Sequence, residues 1–142
     1  MALTTFSIGR DTQLVIMGPS GRIDLNHVTG FESRQLTAPV RVSRIDGTQL
    51  ATELPKGWEG TFEVERGTST LEDFIASLEN GYYAGTPLQQ STMYQYITEA
   101  DGSVSTYQFI GVVFKLASAG VWKGDASVKQ KLDFFATQKQ RI

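Results

Sequence analysis

Recurrent turn residues set the first limit on how this chain can fold. Turn signals recur at Gly18-Pro19-Ser20-Gly21, Asp46-Gly47, Pro55-Lys56-Gly57, Asn80-Gly81 and Asp101-Gly102, and the segments between them are rich in Val, Ile, Thr, Phe and Tyr. β-Branched and aromatic side chains suit a pleated, half-buried surface, while Gly, Asp and Asn supply the backbone angles that reverse it. Together they predict a mainly antiparallel β protein. Alternation sharpens the prediction. Phe62 and Val64 alternate with Thr61, Glu63 and Glu65, and Val40 and Val42 alternate with Arg41 and Ser43. Near the C-terminus Val128, Leu132, Phe134 and Ala136 share one face, and Lys129, Lys131 and Asp133 share the other. A period of two marks a strand with one buried face. Asp101-Gly102 predicts a two-residue hairpin turn between a strand around Tyr94 and Tyr96 and a long strand ending near Leu116. Within that second strand, Ile110 to Phe114 is apolar on both faces. Cover from both sides, by core and a neighbouring subunit, explains this run, and so does a core strand beneath a helix.

One segment breaks the period. Leu71, Phe74, Ile75 and Leu78 fall at helical spacing and form a single apolar stripe. Ser69 with Glu72 predicts a capping box, Glu72 and Asp73 complement the dipole, and Gly81 predicts the stop. The helix expected over Ser69 to Asn80 is about three turns long, too short to stand alone, and must pack on a sheet. The expected fold is therefore mainly β, of α+β type. Two antiparallel sheets form a β-sandwich or partly closed barrel, with one flanking α-helix, in a single domain over residues 1–142.

Composition then removes chemistry. There is no cysteine, hence no disulfide framework, thiolate nucleophile or Cys-based metal site. The one histidine, His27, lies beside Asn26 and near Asp24 and Glu32, with no nucleophile-elbow motif. It reads as a surface or interface residue rather than a catalytic one. Gly18-Pro19-Ser20-Gly21 lacks the Gly-Lys-Ser/Thr of a phosphate loop and reads as two strands meeting at a turn. Glu63/Glu65 reads as a solvated strand face, and Glu72/Asp73 as helix-dipole electrostatics. A formal charge of -2 argues against a basic nucleic-acid binder. Tyr82, Tyr83, Tyr94, Tyr96 and Tyr107 are then read as packing or interface residues rather than base-stacking ones. The N-terminus has no basic stretch followed by an apolar core, so no secretory signal is expected.

Three features point to assembly. The stretch Gly47 to Gly60 carries Leu50, Leu54 and Trp58 and reads as a long loop that docks on a partner or folds back over its own core. Ala119 to Asp125 joins two long strands and displays Trp122. The chain runs on to Arg141 and Ile142 directly after a strong strand, which places a strand at or near an edge. Head-to-tail contacts between copies are one way to close such edges.

The order of these elements carries a resemblance. Its elements are a polar, strand-rich N-terminus, the stretch Asp46 to Trp58, the strand Gly57 to Arg66, one mid-chain helix, and two closing strands. Those last are Tyr107 to Leu116 and Ser127 to Ala136, joined by a Trp-containing turn. In these respects the chain resembles, over essentially its whole length, the tail tube proteins of tailed bacteriophages and, more distantly, the type VI secretion tube protein. The resemblance implies a non-enzymatic structural virion protein with no cofactor and no metal. Hexameric rings would stack into a tail tube, assembled in the host cytoplasm, whose channel passes DNA into the host without binding it specifically. Sheath, baseplate and tail terminator proteins are the implied partners. The resemblance carries contacts between rings or subunits to Asp46, Gly47, Leu50, Leu54 and Trp58, with Trp122 and Arg141 as further candidates. Glu63, Glu65, Lys129, Lys131 and Asp133 are the candidates for the lumen. The alternatives are a related component, such as a terminator or a secreted tube protein, or a ligand-binding β-barrel or small hydrolase.

Overall fold

The computed structural model describes residues 8–19, 21–25, 28–87 and 89–142. His27 and Asn26, Ser20 and the first seven residues lie outside this set. A short 3-10 turn (Gly9–Asp11) leads into β1 (Thr12–Gly18) and β2 (Gly21–Asp24). Two long strands follow, β3 (Val28–Ser43) and β4 (Gln49–Glu65), and then α1 (Thr70–Tyr83). The chain closes with β5 (Ser91–Thr98), β6 (Val104–Ser118), β7 (Lys129–Ala136) and β8 (Gln138–Arg141). The strands pair antiparallel in the order β2-β1-β5-β6-β7-β4-β3, with β8 beside β6. This sheet does not close into a barrel; it folds over as an open sandwich with α1 at its flank.

The fold-over happens inside β6. Residues 91–98 of β5 pair with 104–112 of β6, while β7 pairs with β6 from Val113 onward. The β5 register shifts between Ser91 and Met93, so two β6 residues, Ile110 and Gly111, lie opposite Thr92. Gly111 has φ +65, and a Cβ there would meet Thr137 Oγ1 at 2.6 Å. Such a bulge bends its strand and re-aims the side chains beyond it. Before it Ser105 and Phe109 are buried; after it the buried phase moves to Val112, with Phe114 and Leu116 packed on the core. The doubly apolar run Ile110 to Phe114 is therefore a change of phase at a bulge. The partner strand turns at the same place, where Thr137 donates from its backbone N (2.9 Å) and its Oγ1 (2.8 Å) to the Ile110 carbonyl.

Between the layers lies one apolar core containing Leu14, Ile16, Phe62, Met93, Phe109, Leu132 and Phe134. Phe109 stands edge-on to Phe134 at 5.6 Å, and Phe31 stacks on Phe134 at 5.8 Å. The helix stripe reads as expected. Leu71 and Phe74 are buried, Ile75 and Leu78 pack against the core, and Phe74 meets Phe114 edge-on at 5.6 Å.

Several local expectations are corrected. The helix runs through Asn80-Gly81 and stops at Gly85 (φ +82), where Thr86 N donates to the Gly81 carbonyl and Gly85 N to that of Tyr82. This is a Schellman closure. The capping box does not form: Ser69 Oγ donates to Asp73 Oδ2 at 2.9 Å. Glu72 instead pairs with Arg66 and accepts from Gln130 Nε2 at 2.9 Å. The β5–β6 turn is not a two-residue one, because Glu99 N donates to the Ser103 carbonyl and Gly102 N to that of Glu99. That is a three-residue loop with a glycine bulge. Pro55-Lys56-Gly57 is not a turn but part of β4, where the pairing with β3 slips between Gln35 and Thr37. The long loop expected from Gly47 to Gly60 is a strand, because the turn is confined to residues 44–48 and β4 begins at Gln49.

Candidate assembly surface

The β3–β4 hairpin is much longer than the sheet that holds it. β7 pairs with β4 only between Trp58 and Glu65. Beyond Pro55, residues 37–43 and 49–55 pair only with each other among the described residues, as a projecting two-stranded arm. Cross-strand partners share a face. One face of the arm therefore carries Ala38 and Leu54, Val40 and Thr52, and Val42 and Leu50; the other carries Pro39 and Glu53, Arg41 and Ala51, and Ser43 and Gln49. The first face is apolar, yet Val40, Val42, Leu50 and Leu54 are all exposed. A hairpin of this kind is marginal in water without cover. On the polar face Ser43 Oγ donates to Gln49 Oε1 at 2.8 Å, and Pro39 and Arg41 lie on the free edge strand, where both discourage pairing with stray strands.

The tip is built by local chemistry. Arg44 N donates to the Thr48 carbonyl and Gly47 N to the Arg44 carbonyl, with Gly47 at φ +88. Asp46 Oδ1 accepts from Thr48 N at 2.9 Å, and hydrogen bonds from Thr48 hold the Asp46 carboxyl below the ordinary aspartate range. Ile45 stands fully exposed at the apex. The expected contact residues Asp46, Gly47, Leu50 and Leu54 thus fall on one arm. Trp58 does not: it lies at the arm's root, partly buried against the core and edge-on to Phe109 at 6.4 Å.

Trp122 and Arg141 are elsewhere. Trp122 and Val121 are exposed on the loop between β6 and β7, and the Arg66 guanidinium sits 5.2 Å from the Trp122 ring centre. Arg66 also pairs with Glu72, which raises the Arg66 pKa and lowers that of Glu72, helped by Gln130. Gln130 is almost fully buried and donates to the Ala119 carbonyl at 3.2 Å, tying that loop to the helix start. Arg141 lies in β8 opposite Tyr107, with Nη2 donating to Ser105 Oγ at 3.3 Å.

The five candidate lumen residues share one face. Glu65 stands opposite Lys129, Glu63 opposite Lys131, and Thr61 opposite Asp133, whose other neighbour is Lys115. Arg34 pairs with Glu59 on the same face. Each cation thus has a carboxylate beside it, and opposite charges across strands are mildly stabilising. Phe62 and Val64 point to the core instead.

Sequence reasoning missed Lys139. Its ammonium lies 4.6 Å from the Trp58 ring centre, 4.5 Å from Tyr107 and 5.3 Å from Phe109, and burial pushes its pKa down. A single Lys in a polar tail gives no signal of such a cage, because the rings come from β4 and β6. Ile45 was equally silent. Among the described residues no three His, Cys, Asp or Glu side chains gather as a metal site.

No family model matches the sequence, and no curated protein matches it in sequence. Solved structures do match in fold. The chain is similar to the tube-terminating cap of the anti-feeding prophage (TM-score 0.67, 9% identity, 100% of this chain and 94% of that one). It is similar to the PVC sheath/tube terminator of an extracellular contractile injection system (TM-score 0.63, 12% identity, 92% and 93%). A chain of the PVC sheath-tube complex is also similar (TM-score 0.62, 12% identity, 92% and 88%). The fold is tail-tube-like.

Proposed function

We propose that this chain is a non-enzymatic structural subunit of a tail-like tube, whose copies close into hexameric rings and stack around a channel. The observation that carries this reading is the arm: an apolar ribbon face left uncovered on a tail-tube-like fold. Apolar surface of that kind is stabilised when a second copy removes it from water. Arm contacts from Asp46 to Leu54 join one ring to the next, and the loop bearing Trp122 and the strand bearing Arg141 serve contacts between subunits. The face bearing Glu63, Glu65, Lys129, Lys131 and Asp133 lines the channel. Its lysines stand across from carboxylates in the strand register, so a passing polyanion meets a face of mixed charge, and the net charge of -2 per copy adds repulsion. A conduit of this kind lets DNA slide without gripping it.

A second reading is a tube-ending ring, favoured by the similarity to the prophage's tube-terminating cap over all of this chain. Negative-stain microscopy of the purified chain separates the two. Tubes of open-ended length support the tube subunit, single or paired rings support the terminator, and a monomer at high concentration overturns both. Replacing residues 39–53 by a short turn is expected to leave the fold intact and abolish stacking; tubes that still grow would remove the arm from the interface.

A further inference from the structure

The arm needs a receptor, and the fold carries a matching one. Between α1 and the C-terminal half of β6 lies a groove of about 370 Å³, lined largely by apolar side chains that include Ile75, Leu78, Tyr82, Tyr83, Val113 and Phe114. Tyr82, Tyr83 and Val113 on its walls are exposed, with the two tyrosine rings edge-on at 5.3 Å. Glu79 stands at its border as an exposed carboxylate. At the arm's apex Ile45 is a fully exposed apolar knob, and the residue beside it, Arg44, is an exposed cation. Neither Arg44 nor Glu79 makes an ion pair among the described residues. Knob and groove thus match in kind: apolar with apolar, one cation with one anion.

The same chain carries both halves on different elements. An apolar projection that fits a pocket elsewhere on an identical molecule makes a heterologous contact, which propagates from copy to copy instead of stopping at a dimer. We infer that the arm apex of one copy seats Ile45 in the α1–β6 groove of a second copy, with Arg44 beside Glu79. The inference rests on the tube reading and names the receptor for its arm. The seated contact covers Ile45, Tyr82 and Tyr83 together and fixes the polarity of stacking, since every copy offers one apex and one groove.

Because the chain has no cysteine, disulfide trapping is clean. The double variant Ile45→Cys/Tyr82→Cys, oxidised with glutathione disulfide after assembly, is expected to give a ladder of covalent multimers on a non-reducing gel. Each single variant gives no ladder. Charge reversal supplies a second readout: Arg44→Glu or Glu79→Arg alone lowers tube yield several-fold, and the two together restore it. Tubes that form normally while the double-cysteine variant gives no ladder would overturn this receptor assignment and leave the tube reading standing. Tube yields insensitive to both reversals, or losses that simply multiply in the double variant, would overturn the Arg44–Glu79 pairing. A wild-type chain that forms neither rings nor tubes removes the tube reading and this inference with it.

Discussion

Two hairpins in this molecule have turns built alike and strands with opposite surroundings. At the β3–β4 tip, Asp46, Gly47 and Thr48 form a glycine-bulge turn; at the β5–β6 tip, Asp101, Gly102 and Ser103 form another with the same bonds. Gly47 and Gly102 share the left-handed conformation, at φ +88 and +91. In both, an aspartate oxygen accepts from the backbone N two residues on, at 2.9 Å. Yet β5 and β6 are flanked by β1 and β8, so Met93 and Phe109 are wholly buried. Among the described residues, the distal halves of β3 and β4 pair only with each other, and Val42 and Leu50 stay in solvent. Turn chemistry therefore decides where a chain reverses. Neighbouring strands decide whether the hairpin becomes wall or lever.

The contrast can be broken most sharply by truncating side chains. Phe109→Ala is expected to cost about 3–5 kcal/mol in denaturant unfolding. Leu50→Ala on the isolated subunit is expected to stay within about 0.5 kcal/mol. A comparable loss at Leu50 would mean the arm folds back on its own chain.

The turns give the next test. Forcing a side chain into the left-handed region costs about 1–2 kcal/mol. Gly102→Ala should therefore lower global stability by that amount. Gly47→Ala should leave the unfolding midpoint unchanged and speed amide exchange over residues 49–55. Equal midpoint shifts would show the arm unfolding as one unit with the core.

A smaller effect concerns acid. Hydrogen bonds from Ser103 lower the Asp101 pKa, as those from Thr48 lower that of Asp46. A carboxyl whose folded pKa is depressed adds stability above its unfolded pKa and loses it as pH falls through the folded value. Asp101→Ala should thus flatten the acid side of the stability profile measured from about pH 7 to about pH 3. Asp46→Ala should leave that profile alone, since the arm contributes little to the global transition. The smallest effect belongs to Lys139. Its folded pKa lies below the ordinary value because of burial, so stability should rise slightly as pH climbs through that folded value toward about 10.4. Lys139→Met should remove the rise; an unchanged alkaline profile would show that the cage leaves Lys139 titrating normally.

How much was legible depended on the range of the cause. The helix stripe, the burial of Phe62 and Val64, and the charged face of Glu63, Lys131 and Asp133 could be read because period alone sets which way they point. The helix end was misread because Asn80-Gly81 is a reasonable stop, but the chain continues to a better one at Gly85. Ser69 and Glu72 make a plausible capping box, yet Arg66 and Gln130, the latter distant in sequence, take Glu72 for an ion pair and a loop anchor. Gly47 to Gly60 read as a loop because Pro55 and Gly57 look like breakers. In three dimensions the slip opposite Gln35 to Thr37 absorbs them as an irregularity at the arm's root.

Local pattern is enough for the antiparallel β class, an amphipathic helix, the reversals at Asp46-Gly47 and Asp101-Gly102 and the lack of cysteine chemistry. Each follows from side-chain type, or from spacing within a few residues. The turning of β6 at Gly111, the seating of Lys139 among three rings and the exposure of Val42 and Leu50 arise only in three dimensions. Those depend on which strands lie side by side, and pairing across many intervening residues is set by burial of the whole core rather than by any local pattern.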